Sequence, residues 1–168
     1  IGPDAARYLH AATGGPVPRP FHLRVLLPWL CRDDARRWWA VWFAGWALAA
    51  AGMFAWVISS SSWQVAAAAT VLLLGLPGFL GPSVTIPVGV DIPATGLALC
   101  GVALFAHDLE PVGVAVIAVS ALIRETTPVW SALWLWSPWP LLALAVPAFV
   151  NQWRPTGPDP LGQRFQDI

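Results

Sequence analysis

Few side chains in this 168-residue sequence carry a charge, so the ones that could do chemistry are quickly found. His107, Asp108 and Glu110 stand together in HDLE, between two apolar stretches. An imidazole beside two carboxylates suits a hard metal ion or a proton relay. The set is incomplete for any one coordination geometry, however, and three polar residues within four also simply make a turn, so no metal is expected. His10 and His22 are isolated, and two histidines without a third ligand do not form a zinc site. Asp4, Arg7, Arg24, Asp91, Arg124 and Glu125 fall instead at the ends of apolar segments. Ionisable groups gathered there are the default functional-site hypothesis for a membrane protein, against the plainer reading of solvated loop charges. Neither a Ser-His-Asp order, a P-loop nor a dinucleotide fingerprint is present. A net charge of zero gives no basis for a nucleic-acid partner.

The elements that must position these groups are apolar. Hydrophobic residues make up 57% of the chain and charged ones 11%, against about 25% charged in soluble domains. Residues 38–59 read WWAVWFAGWALAAAGMFAWVIS without a charge, and at about 1.5 Å per residue they cover the roughly 30 Å of bilayer hydrocarbon. Residues 65–80 and 129–150 are also uncharged, and Pro138, Pro140 and Pro147 predict kinks in the latter. Two shorter apolar pieces, 94–106 and 111–123, read as tilted short spans or one hairpin dipping into the membrane. PSVTIPVGVDIP, at 82–93, reads as an extended loop carrying Asp91. The expected fold is all-α and polytopic, with four to five transmembrane or re-entrant helices. A polar N-terminal region, 1–37, carries short helices at 4–12 and 21–30. The transmembrane domain spans 38–150, and 151–168 form a polar extended tail.

Five crossings bring the N-terminal region, the 82–93 loop and the RETT turn to one side. SSSS, HDLE and the tail then occupy the other. Asp4, Arg24, Asp91, Arg124 and Glu125 all lie on the first side. That side also holds seven of the nine arginines, so the positive-inside rule places it in the cytoplasm.

Three strings recur together: GPDAARYL at 2–9, PFHLRVLLPWL at 20–30 and ALIRETTPVW at 121–130. With VGVDIPATGLAL between them, they resemble polytopic membrane glycosyltransferases of the GT-C class, bacterial enzymes that use polyprenyl-phosphate sugars. The resemblance implies a site at the extracytoplasmic boundary of the inner membrane, opposite to the arginine count. Asp4 would be the catalytic acid of the first loop, deprotonating an acceptor hydroxyl. Arg24 and Arg124 would bind the phosphate, to which a guanidinium offers bidentate geometry and permanent charge. Glu125 would hold an arginine or a sugar hydroxyl, and Asp91 would contact sugar or a metal.

Tryptophan supplies a second signal, with twelve in the chain. Trp38, Trp42 and Trp46 form a stripe at i, i+4, i+8, and Trp134 lies in a second crowd near the last span. Much of this suits an interfacial aromatic belt. The stripe also suits a partner helix or a ring-bearing pigment, which makes a non-catalytic accessory subunit of a respiratory or photosynthetic complex the alternative function. No particular cofactor is indicated by the residues. The partners expected are membrane lipid, a polyprenyl-phosphate sugar and other membrane subunits.

Overall fold

The computed structural model describes residues 3–13, 15, 17, 24, 26–32, 34–76 and 90–153, with side chains from residue 6 onward and excepting those of 151 and 153. Among the described residues the chain is all-α. Its helices are α1 (Pro3–Ala12), α2 (Leu26–Cys31), α3 (Ala35–Ile58), α4 (Trp63–Leu74), α5 (Asp91–Ala106), α6 (Glu110–Ala121), α7 (Thr127–Leu135) and α8 (Ala145–Trp153). A 3-10 helix, Trp139–Leu144, joins the last two.

α3 is long because nothing within it interrupts the backbone ladder: 24 residues carry no proline and many alanines. Asp34 starts it, its carboxylate accepting the Arg36 N–H at 2.8 Å. Just before, Arg32 takes a left-handed conformation (φ 51°), and its carbonyl accepts the Trp38 indole N–H at 3.0 Å. At about 36 Å, α3 is the one described helix long and apolar enough to cross a membrane. α4, α5 and α6 are apolar but have 12, 16 and 12 residues.

The core is built on α5, with buried residues on several of its faces. One face packs against α3 through small residues. A Cβ added to Gly96 would come within 2.3 Å of the Gly45 carbonyl oxygen. One on Gly45 would meet the Pro93 backbone at 2.6 Å, and one on Gly52 the Cys100 nitrogen at 2.6 Å. Residues 45, 49 and 52 thus face 93, 96 and 100 in ascending order, so α3 and α5 run parallel. The opposite face meets α6 in descending order, Gly101 against Ile117 and Phe105 against Gly113. α4 buries only Ala66, and Val71 and Leu72 are about 70% exposed. Cys31 and Cys100 are free thiols, the former fully buried.

Two sequence expectations change here. Asp91 does not lie in an extended loop but opens α5, where a carboxylate in the first turn favours the unpaired N–H groups. Residues 129–150 do not form one kinked span. α7 stops at Trp136, which adopts left-handed angles (φ 50°), and the chain continues as a 3-10 turn. Proline lacks an N–H, so Pro138 and Pro140 break the helix outright. Further on, α8 carries helix three residues into the tail that begins at 151. Residues 77–89 and 154–168 lie outside the described residues.

Candidate functional site

Parallel packing of α3 and α5 brings their N-terminal ends together at one end of the bundle, and the antiparallel α6 returns the 122–126 turn to the same place. Beneath this end sits a core of Tyr8, Val17, Leu27, Cys31, Trp38, Val90, Ala94 and Ile123. It draws on the first 38 residues, on the start of α5 and on the turn after α6. The N-terminal segment is tied down by backbone as well, the Leu26 N–H donating to the Leu122 carbonyl at 3.2 Å.

Over that core the charged residues meet in two pairs. Arg24 donates through Nε to Glu125 Oε2 at 3.0 Å and through Nη2 to Oε1 at 3.1 Å, a two-pronged contact. Its Nη1 donates to the Tyr8 hydroxyl at 2.6 Å. Both partners are largely shielded, at 13% and 17% exposure. Burial works against each charge, but the hydrogen bonds and mutual attraction outweigh it. Arg24 is more firmly protonated than usual, and the Glu125 carboxyl, which also feels Arg124, titrates below the ordinary carboxylate range. The second pair, Arg124 Nη1 with Asp91, is open to solvent at 38% and 68% exposure.

The turn between α6 and α7 is fixed by hydroxyls. Ser120 Oγ lies 2.7 Å from the Ile117 carbonyl and 2.7 Å from Thr127 Oγ1, which is 2.9 Å from the Arg124 carbonyl. Two hydroxyl protons therefore serve three contacts. Beside this turn, a cleft of about 220 Å³ opens between α5 and α7. Thr95 and Ala98 line it from α5, Arg124 and Thr126 from the turn, and Thr127, Trp130 and Trp134 from α7. The Thr126 hydroxyl is shielded from solvent and has no hydrogen-bond partner among the described residues. Trp134 is backed by Trp56 of α3, with ring centroids 6.1 Å apart.

Of the residues singled out in the sequence, Arg24, Asp91, Arg124 and Glu125 are brought to this end. Asp4 belongs to the first turn of α1, and its side chain lies outside the described residues. The tryptophan stripe turns inward: Trp38 is 1% and Trp42 7% exposed, and Trp46 packs against the Trp42, Ala49, Ile92 and Leu99 cluster. Other indoles stand exposed instead, Trp29, Trp63 and Trp136 among them. His107 sits at the opposite end, its Nε2 3.1 Å from the Ala55 carbonyl, and Asp108 takes a left-handed turn conformation (φ 62°). Among the described residues no three of His, Cys, Asp and Glu gather as a metal-binding group.

Sequence reasoning missed Tyr8, Thr95 and Thr126, and placed Trp130 only in the tryptophan crowd around Trp134. Tyr8 is the chain's one tyrosine, and it follows Asp4 by one helical turn, which was a usable signal. The threonines gave none, because their relevance comes from the α5–α7 contact. No protein-family model, curated protein or solved structure matches this chain, so its reading rests on the geometry of this polar end.

Proposed function

We propose that this chain is an integral membrane protein of several passes, resident in a bacterial inner membrane, whose polar end handles a polyprenyl-phosphate-linked sugar as a GT-C-like transferase. Membrane residence is supported by α3 and by apolar residues such as Val71, Leu72 and Phe149 standing exposed on helices around the bundle. Glycine and alanine at the α3–α5 seam fit it too, since close backbone approach drives helix association in lipid. The single observation carrying the site is the convergence of Arg24, Asp91, Arg124 and Glu125, from three separate stretches, beside one cleft.

In the reaction, Asp4 takes the proton of an acceptor hydroxyl. The acceptor oxygen bonds to the anomeric carbon as the bond from that carbon to the phosphate oxygen breaks. The phosphate leaves on its lipid with the bonding electrons, and Arg124 stabilises the charge that develops there. Asp91 holds Arg124 in position. Arg24 and Glu125 are already committed to one another and act by pinning the N-terminal segment over the site.

The test is transfer of a radiolabelled sugar from a polyprenyl phosphate to an acceptor in reconstituted liposomes. Turnover is expected to fall by at least a hundredfold in Asp4→Asn, in line with the roughly 10²–10⁴ supplied by a positioned base. A wild-type protein that transfers no sugar from any such donor overturns the proposal. A second reading, an accessory subunit, is favoured by the exposed indoles at Trp29, Trp63 and Trp136. Stoichiometric recovery with a large respiratory or photosynthetic complex in mild detergent, without a polyprenyl lipid, would support that reading instead.

A further inference from the structure

We propose that the cleft between α5 and α7 is a subsite for one phosphate-bearing sugar ring, with the phosphate on Arg124 and Thr126 and the ring against Trp130 and Trp134. The assignment rests on the reading of this end as a sugar-phosphate site and adds which residues hold which part of the ligand.

Size sets the first constraint. At about 220 Å³ the cleft falls below the roughly 300–1,000 Å³ typical of sites for larger small molecules, so it takes a head group and leaves a lipid chain outside. Its lining sets the second. Two indoles one helical turn apart offer apolar faces, and Thr95 and Thr126 bring polar side chains beside them, the Thr127 hydroxyl being committed to the turn. A pyranose has that same division, C–H bonds on its faces and hydroxyls around its rim. Trp134 is steadied by Trp56, so its ring needs little ordering on binding.

The two ion pairs decide where the phosphate goes. Arg24 is shielded and doubly bonded to Glu125, so displacing that carboxylate leaves a buried charge uncompensated. Arg124 meets Asp91 through one nitrogen in an exposed pair, which water and salt screen and which holds the two side chains only weakly. A phosphate can replace Asp91 there at small cost. The Thr126 hydroxyl, shielded and without a protein partner among the described residues, is the donor assigned to that phosphate.

This hydroxyl also gives a test that separates binding from folding. An unpartnered shielded hydroxyl destabilises a protein, so Thr126→Val should leave the melting temperature unchanged or raised while weakening the ligand. The full chain would be placed in phosphatidylcholine nanodiscs and titrated with dodecyl glucosyl phosphate, dodecyl phosphate, dodecyl glucoside and free glucose 1-phosphate. Dodecyl glucosyl phosphate is expected to bind best. Arg124→Gln should weaken both dodecyl phosphates by about tenfold or more, the usual scale for losing a charged hydrogen bond. Trp130→Ala, at a position 54% exposed, should weaken the glucosyl phosphate by about fivefold and leave dodecyl phosphate unchanged.

Equal binding of glucose 1-phosphate and its dodecyl form would identify a soluble sugar phosphate as the source, and preference for the dodecyl form a lipid one; each supports the subsite. Absence of binding by all four probes overturns it. So does equal affinity for dodecyl phosphate and its glucosyl form, with no effect of Trp130→Ala. Binding without transfer would sink the transferase reading and leave the subsite standing. Transfer whose KM is indifferent to Thr126→Val and Trp130→Ala would do the reverse.

Discussion

Glu125 keeps its charge through contacts that acid removes. Its carboxyl binds its proton less readily in the folded chain than at its ordinary value near 4.5, because the hydrogen bonds of Arg24 and the charges of Arg24 and Arg124 overcome the burial that would raise it. The folded state therefore binds fewer protons than the unfolded one. The resulting stability is complete above the unfolded value and is lost as pH falls through the lower, folded one. Melting temperature measured in detergent should hold steady from neutrality to about pH 5 and then drop, and the drop should be smaller in Glu125→Gln. At neutral pH that variant should lose about 2 kcal/mol, since it leaves Arg24 shielded with a weaker partner. An unchanged acid profile in Glu125→Gln would mean that the pair contributes nothing. The sequence made Arg24, Asp91, Arg124 and Glu125 legible as a group, because each stood at the end of an apolar run. Their pairing was not legible. Arg124 and Glu125 are neighbours in sequence, and only the fold decides that one faces Arg24 and the other Asp91.

At the scale of elements, uninterrupted apolar composition announced α3, while the end of the chain misled. An apolar run of 22 residues at 129–150 reads as a membrane span by length alone, yet two prolines and a left-handed Trp136 divide it. Local backbone chemistry overrode hydropathy there. The start of α5 misled in the opposite direction: proline and β-branched residues suggested loop up to 93, but Pro93 sits in the first turn, where its missing N–H costs little. Glycines in α3 and α5 had no evident purpose in sequence, and the structure supplies one. Gly96→Ala would place a methyl group 2.3 Å from the Gly45 carbonyl oxygen, and neither backbone can yield without moving a whole helix. The expected loss is about 1–3 kcal/mol, read as a lower melting temperature. Gly75→Ala, whose new atom would meet nothing nearer than 3.3 Å, should change little. Equal effects from the two substitutions would show that the seam does not hold the bundle.

For the molecule as a whole, the directions of α3, α5 and α6 divide the polar segments between two ends. Arg36 stands at the end that holds the ion pairs, and Ser60 and Asp108 stand at the other; all three are exposed. Single cysteines at these positions, in a chain with Cys31 and Cys100 replaced, test whether the ends lie on opposite sides of a membrane. An impermeant thiol reagent applied to intact cells should label 60 and 108 alike and 36 oppositely. Labelling of all three from one side would leave α3 outside the bilayer. This division into ends was legible in the sequence, because it follows from counting apolar segments. The lengths of the helices were not, since α4, α5 and α6 have 12, 16 and 12 residues, fewer than the roughly 20 that a full span needs.

The parallel seam between α3 and α5 also imposes an order of assembly. Gly45 and Ala49 are synthesised some 50 residues before the backbone they must touch, and α4 has to turn back in between. At roughly 5–20 residues per second, α3 waits a few seconds with its narrow glycine face uncovered. In that interval the face is open to an α5 already made by a neighbouring copy, which offers contacts identical to those of its own. Dense synthesis of this chain therefore favours dimers that have exchanged α5, whereas sparse synthesis lets each α3 close on the helix that follows it.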